Sequence, residues 1–340
     1  MSGERLLVVG PAWVGDMVMA DSFFQLLKER DPLAHLCVLA PPATAGLLPF
    51  MPSVDQSEVL HSKSGRLDLA ARWRLGRRLS KQGFQRALIL PRSIKAALVP
   101  AFARVPQRVG YAGDPRWGLV NDLRPFDRKA VPRSVDRFLA LALPQGEPIP
   151  AAPEPRLMVS EAVRTESLTK AGLTAPQAPL LALCPGAAYG PAKRWPAEHF
   201  AAVARHWTSK GGLVWVFGQA QDRQAAEIIR QTAPAQVVDL TGRTDLAGAL
   251  GLMTFATAAV CNDSGLMHVA AALAKPLVAL YGSSTAEETP PLSAKAQVLG
   301  LDLECRPCHQ RTCPLGHLRC LQDLAPDRVI EALRSAQVDF

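Results

Sequence analysis

Aromatic residues make up only 6% of this 340-residue chain, with three tyrosines among them. That is little for a surface that stacks on bases, and no RNA-binding signature or recognition-helix motif accompanies it, which sets nucleic-acid binding aside. No apolar run reaches the roughly 20 residues of a membrane-spanning helix; the longest are of the kind of "ALGLMTFATAAVC". The start, "MSGERLLVVG", lacks the apolar stretch and small-residue cleavage site of a secretory signal, so a cytoplasmic chain is expected. Neither the G-x-G-x-x-G fingerprint nor the G-K-[ST] of a P-loop occurs at the first strand-to-helix turn, which weighs against a dehydrogenase or a nucleoside triphosphatase. Acidic residues are outnumbered, 30 against 38 lysines and arginines, and the net charge of +8 favours an anionic partner. Seven cysteines, an odd number in a chain with no export signal, argue for reduced thiols over a disulfide framework.

What is present is an alternation of short apolar runs with helical patterns. "RLLVVG", "HLCVLA" and "RALILP" come first; "LLALCPG", "LVWVFG", "QVVDLTG", "AAVCNDSG" and "PLVALYG" follow after the middle. Such runs are the pattern of parallel strands buried on both faces by helices, so the fold class is α/β. Between the two sets lies "PQGEPIPAAPEPR", whose five prolines leave no helical or strand period and mark an extended connection. The expected organisation is residues 1–155, residues 156–325, and a C-terminal helix over 326–340 that starts at Asp327 or the Ala325-Pro326 turn and packs on one domain or across both. In doubly wound sheets ligands bind beyond the carboxyl ends of the strands, so the candidate residues are those that follow strands.

In "VGPAWVGDMVMA", Gly15 and Asp16 stand where a strand gives way to a helix, and Asp16 suits a helix cap as well as it suits a catalytic carboxylate. In "CNDSGLMHVAAALAKPLVALYG", a strand ends at Asn262 and Asp263 and a helix begins at Ser264 and Gly265, where open backbone N–H groups favour an anion. His268, one turn further on, can reach such an anion or make a structural hydrogen bond. "LCPGAAYGPAKRWP" offers a tight loop at Gly186 and Gly190 with Lys193 and Arg194, a phosphate-facing loop or a solvated basic turn, and Pro196 at the opening of the next helix. "VFGQAQDRQAAE" places Gly218, Gln219 and Asp222 after another strand, suited to sugar hydroxyls, and "LPRSIKAALVP" does the same with Arg92 and Lys95, suited to an acidic ligand. "RWRLGRRLSK" concentrates charge on a helix, as a solvated face or a second anion contact. "CRPCHQRTCPLGHLRC" spaces Cys305, Cys308, Cys313 and Cys320 as C-x2-C-x4-C-x6-C with His309 and His317 among them: a zinc site lacking the second C-x-x-C of a ribbon, or thiols that pack a local loop.

The combination of "GPAWVGDMVMA", "PGAAYGPAKRWP" and "NDSGLMHVAAALAKPLVALYG", in that order and over nearly the whole chain, resembles the ADP-heptose:lipopolysaccharide heptosyltransferases of glycosyltransferase family 9. The resemblance implies a GT-B fold of two Rossmann-like domains facing a central cleft, the first accepting a lipopolysaccharide precursor and the second holding the nucleotide sugar. It implies inverting transfer of L-glycero-D-manno-heptose from ADP-heptose to the first heptose of the inner core, on heptosylated Kdo2-lipid A, without a metal or other cofactor. A sister enzyme using Kdo2-lipid A itself, or a noncatalytic nucleotide or polyanion binder on the same fold, are the alternatives. By this resemblance Asp16 is the general base, Lys193 binds donor phosphate and helps ADP depart together with His268, and Asp263, Ser264, Gly265 and His268 form the donor loop. Gly186, Gly218 and Asp222 are expected to complete the donor site, and Gly15, Arg92 and Lys95 to meet the acceptor. Peripheral contact with the cytoplasmic face of the inner membrane is the implied location. Ala188-Tyr189 stands where some relatives carry hydroxyl residues before the lysine.

Overall fold

The structure is a computed structural model that describes residues 3–61 and 67–336; the end of the expected C-terminal helix, 337–340, lies outside the described residues. The chain divides into two compact units, Met1–Arg156 and Leu157–Phe340.

In the first unit, β1 (Arg5–Val9), β2 (His35–Ala40), β3 (Gln56–Val59), β4 (Arg86–Ile89), β5 (Gln107–Tyr111) and β6 (Asp122–Arg124) form one parallel sheet in the order β3-β2-β1-β4-β5-β6. Helices α1 (Val14–Arg30), α2 (Pro42–Ala45), α3 (Leu69–Leu79), α4 (Ile94–Phe102) and α5 (Ser134–Ala142) connect and cover it. The second unit holds β7 (Leu180–Cys184), β8 (Leu213–Val216), β9 (Val237–Asp239), β10 (Ala258–Asn262), β11 (Leu277–Leu280) and β12 (Ala296–Leu299), parallel in the order β12-β11-β10-β7-β8-β9. Its helices are α6 (Glu161–Ala171), α7 (Ala197–Thr208), α8 (Arg223–Arg230), α9 (Leu246–Met253), α10 (Gly265–Ala272), α11 (Arg319–Gln322) and α12 (Pro326–Ser335).

Numbered from its own first strand, each sheet has the order 3-2-1-4-5-6, so the two units repeat one doubly wound topology. In each, the strand order reverses between the first and fourth strands, β1 and β4 in one and β7 and β10 in the other. At such a reversal the two crossovers leave on opposite faces and open a crevice at the carboxyl ends of the strands.

The central strands are apolar along their length because helices cover both faces; β7 and β10 are buried at every residue. β3, β6 and β12, together with β5, add strands that no apolar run announces. "QSEV" and "DLR" are short and polar and "AQVL" is short, and they are strands because β2, β5 and β11 offer them a hydrogen-bonding edge.

α1 begins at Val14, with Trp13 at the cap position, so Asp16 lies inside the first helical turn and is not the cap the sequence allowed. Further along α1, the proline-rich segment is tied down. Ser22 Oγ donates to the Pro153 carbonyl at 2.6 Å, and Asp21 Oδ2 accepts from the Arg156 N–H and from Gln25 Nε2, both at 2.8 Å. Burial raises the Asp21 carboxyl above its ordinary range, against the lowering effect of these donors. α12 starts at Pro326 and packs against α7 and β11, burying Val329, Ala332 and Leu333 in the core of the second unit. Pro196 takes the cap position of α7, one residue before the helix.

Candidate active site

Each unit carries candidate residues at its own reversal point. In the first, the turn after β1 and the turn after β4 line a cavity of about 500 Å³ that holds Trp13, Asp16, Arg92 and Lys95. Gly15 lies in the helical turn beside Asp16, outside the cavity lining. Arg92 lies over the Phe126 ring, its guanidinium carbon 3.8 Å from the centroid. Its backbone is held from behind: the buried Arg116 donates to the Pro91 carbonyl at 2.9 Å and to the Tyr111 carbonyl. Gly113 is a glycine of necessity, since a Cβ there would stand 2.4 Å from the Arg92 carbonyl oxygen.

Two further cations that local sequence did not single out line the same cavity. Arg72, on the charge-rich α3, is buried and bonds the Leu67 and Lys95 carbonyls at 2.6 and 2.9 Å, so the helix that offered a solvated face or a second anion contact turns one arginine inward. Burial lowers its pKa. Arg137, on α5, shares the Phe126 ring with Arg92 and bonds the Val131 carbonyl and Ser134 Oγ at 2.8 and 2.7 Å. A cavity with one aspartate and four basic side chains suits a polyanionic ligand that must also give up a proton.

In the second unit the loops after β7 and β10 are joined by Asn262. Fully buried at the end of β10, it accepts from the Trp195 N–H at 3.1 Å and donates to the Pro185 carbonyl at 2.6 Å, thereby closing both ends of the 185–195 loop. The loop carries Lys193, whose Nζ lies 2.5 Å from Asp263 Oδ2; Ser284 Oγ, after β11, donates to the same oxygen. Asp263 therefore orders the lysine and does not cap α10. Ser264 is the cap residue of that helix but bonds no first-turn N–H with its side chain, and Gly265 opens the helix.

His268, one turn into α10, is buried. Burial lowers its pKa to about 4; Asp263 opposes the shift and Lys193 adds to it. The imidazole is thus neutral at pH 7 and offers hydrogen bonds, not charge.

Asp222 follows β8, and its side chain is already engaged. Its side chain is turned beneath the loops, where Oδ2 accepts from the Gln219 N–H at 2.9 Å and Oδ1 lies 3.3 Å from Arg194 Nη2. Gly186 and Gly218 leave room for it, since a Cβ on Gly186 would meet Asp222 Oδ2 at 2.2 Å and one on Gly218 would stand 3.0 Å from it. In this structure Asp222 holds the loops, and a sugar hydroxyl would have to displace its partners to reach it.

The cysteine-rich segment is sewn to these same loops. The Ala192 N–H donates to the Arg311 carbonyl at 3.1 Å, Tyr189 Oη to the His309 carbonyl at 2.6 Å, and the His309 N–H to the Ser283 carbonyl at 2.7 Å. Arg306 bonds the Gly282 and Ser284 carbonyls at 2.6 and 3.2 Å. Cys305, Cys308, Cys313 and Cys320 are free thiols around a void of about 20 Å³. Among the described residues, no three His, Cys, Asp or Glu side chains are grouped so as to hold a metal ion.

Comparison with known proteins agrees with this layout. The profile of Glycosyltransferase family 9 (heptosyltransferase) matches residues 72–319. "Lipopolysaccharide heptosyltransferase 2" of Salmonella typhimurium is 41% identical, covering 97% of this chain and 98% of its own. "Lipooligosaccharide heptosyltransferase 2" of Haemophilus influenzae is 39% identical with the same coverage. Among solved structures, the Escherichia coli ADP-heptose lps heptosyltransferase II superposes with a TM-score of 0.86 at 39% identity, covering 98% of both chains, and the two-unit α/β architecture is the GT-B fold of that enzyme. The chain belongs to glycosyltransferase family 9, the heptosyltransferases.

Proposed function

We propose that this heptosyltransferase moves a heptose from ADP-heptose to the first heptose of the inner core, carried on heptosylated Kdo2-lipid A. The observation that carries the reading is the division of labour between the two reversal points. The first unit pairs a carboxylate with four basic side chains in one cavity, and the second gathers Lys193, Asp263, Ser284 and a neutral His268 at the start of α10.

In this reading Asp16 takes the proton of the attacking heptose hydroxyl as the new bond to the anomeric carbon forms. Inversion follows from a single attack opposite the leaving group. The departing ADP gathers negative charge, which Lys193, the first-turn N–H groups of α10 and a hydrogen bond from His268 stabilise. Asp263 orients Lys193 and meets donor hydroxyls. Arg92 and Lys95, with Arg72 and Arg137 beside them, hold the acidic acceptor. No metal is assigned a step, and no cofactor besides the donor is required. No helix among the described residues is long and apolar enough to cross a membrane, and the lipid acceptor is met by peripheral contact at the cytoplasmic face of the inner membrane.

The test is to incubate the protein with ADP-heptose and mono-heptosylated Kdo2-lipid A in the presence of EDTA, and to weigh the product beside the Asp16→Asn variant. One added heptose is expected, with turnover reduced about 10²- to 10⁴-fold in the variant and ADP binding retained. Near-normal turnover by the variant would remove Asp16 as the base, and loss of transfer in EDTA that returns with a divalent ion would remove the metal-independent mechanism. Transfer to unheptosylated Kdo2-lipid A alone would move the assignment to the sister reaction.

A further inference from the structure

The two cations that the sequence offers to the donor phosphates are both already matched. Lys193 is paired with Asp263, and Arg194 lies 3.3 Å from Asp222. Each pair sums to zero charge, so each attracts a pyrophosphate carrying two or more negative charges less strongly than an unpaired cation does. A third cation stands at the same loop. Arg311, from the cysteine-rich segment, is exposed and has no carboxylate partner among the described residues.

Its position is fixed by backbone, not by its own side chain. The Arg311 carbonyl accepts from Ala192 and packs so closely on Gly190 that a Cβ there would stand 2.5 Å from its oxygen. From that anchor the guanidinium lies 5.3 Å from the centroid of the Tyr189 ring, and Lys193 Nζ lies 5.0 Å from the same centroid. Tyr189 is itself fixed through its hydroxyl to the His309 carbonyl. One rigid ring therefore sets both cations, the lysine close to it in the chain and the arginine far along the sequence.

From this geometry we infer that Arg311 is a donor-binding residue, contacting the pyrophosphate of the nucleotide sugar as the uncompensated positive charge beside Lys193. The inference rests on the heptosyltransferase reading above. The cysteine-rich segment then serves the donor site by presenting Arg311 across Tyr189. A guanidinium forks onto two phosphate oxygens, which an ammonium already committed to Asp263 does not do.

The test is a calorimetric comparison of ADP, AMP and adenosine binding to the full chain and to its Arg311→Ala and Arg311→Lys variants, with no acceptor present. Because the anchoring contacts use the Arg311 main chain, thermal melting of the variants is expected to match the parent. Arg311→Ala is expected to weaken ADP binding about 10-fold, AMP less, and adenosine not at all, with Arg311→Lys in between. The ADP affinity of Arg311→Ala is also expected to depend less steeply on salt. Equal losses for all three ligands would assign Arg311 to holding Tyr189 and overturn phosphate contact, as would an unchanged ADP affinity. A parent that binds none of the three would instead bring down the donor reading on which the inference rests.

Discussion

Replacing Asn262 tests whether one buried amide holds the donor loops together. In Asn262→Ala the Trp195 N–H and the Pro185 carbonyl both lose their partner in a place water does not reach. An unsatisfied buried polar group costs about 1–3 kcal/mol, so the pair together should cost about 4 kcal/mol. Asn262→Asp is the sharper variant. It has the same shape and still accepts from Trp195, but it sets a carboxylate oxygen against the Pro185 carbonyl next to Asp263, so it should cost at least as much as alanine.

The tryptophans make the measurement specific to the second unit. Trp195, Trp207 and Trp215 are buried there, whereas Trp13, Trp73 and Trp117 in the first unit are 54%, 53% and 80% exposed, so their emission is expected to change little on unfolding. The red shift of fluorescence in urea therefore reports the second unit. With a slope near 2 kcal/mol per molar, a loss of about 4 kcal/mol moves the midpoint down by about 2 M. ADP affinity should fall with it, because the loop bearing Lys193 has lost both ends. A midpoint shift under about 0.5 M in both variants, with ADP affinity unchanged, would refute the claim that Asn262 fastens the loop.

Two further outcomes follow from the same site. His268 is held neutral by burial, so between pH 6.5 and about 4 the unfolded chain binds a proton that the folded chain refuses, and stability falls as pH falls through that window. The full difference is about 3 kcal/mol; urea midpoints at pH 7 and 4.5 should differ less in His268→Gln than in the parent, and equal differences would show that His268 is not the titrating group. Gly190→Ala forces a methyl group against the Arg311 carbonyl, and overpacking of this kind costs about 1–3 kcal/mol. ADP titrations should show weaker binding as the cysteine-rich segment lifts from the loop, and parent-like affinity would mean that the segment has no hold on the donor site.

The places where the candidate residues sit were legible because β1, β7 and β10 are apolar runs that stop at glycine, proline or an Asn-Asp pair, and a parallel sheet puts its ligands at such stops. The partners of those residues were not legible. Lys193 and Asp263 meet across 70 residues of chain, and nothing near either one announces the other. Arg72 sits in a charge-rich helix and Arg137 in a mostly apolar one, and only the packing of α3 and α5 around the first cavity sets both arginines on its lining. Ser284 did have a signal, since it follows the apolar run "PLVALYG" and so stands at the end of a buried strand. The neighbours of Asp222 were not legible for a physical reason: a strand-end aspartate and a loop-capping aspartate have the same local sequence, and the side chain's place depends on the space left by Gly186.

The order of strands also bears on how the second unit is put together. β7, β8 and β9 are neighbours both in sequence and in the sheet, and so are β10, β11 and β12. Each triplet can pair locally, while the β7–β10 ladder must close a loop that sets Asn262 77 residues from Pro185. That ladder is the seam between two half-sheets, and the candidate donor site straddles it. A nascent chain that ends before β10 exposes one side of β7 as an unpaired edge, an invitation to aggregate. Under the proposed function a nucleotide bound across the seam would favour the joined state by mass action, and the donor would then act as a folding ligand for this unit.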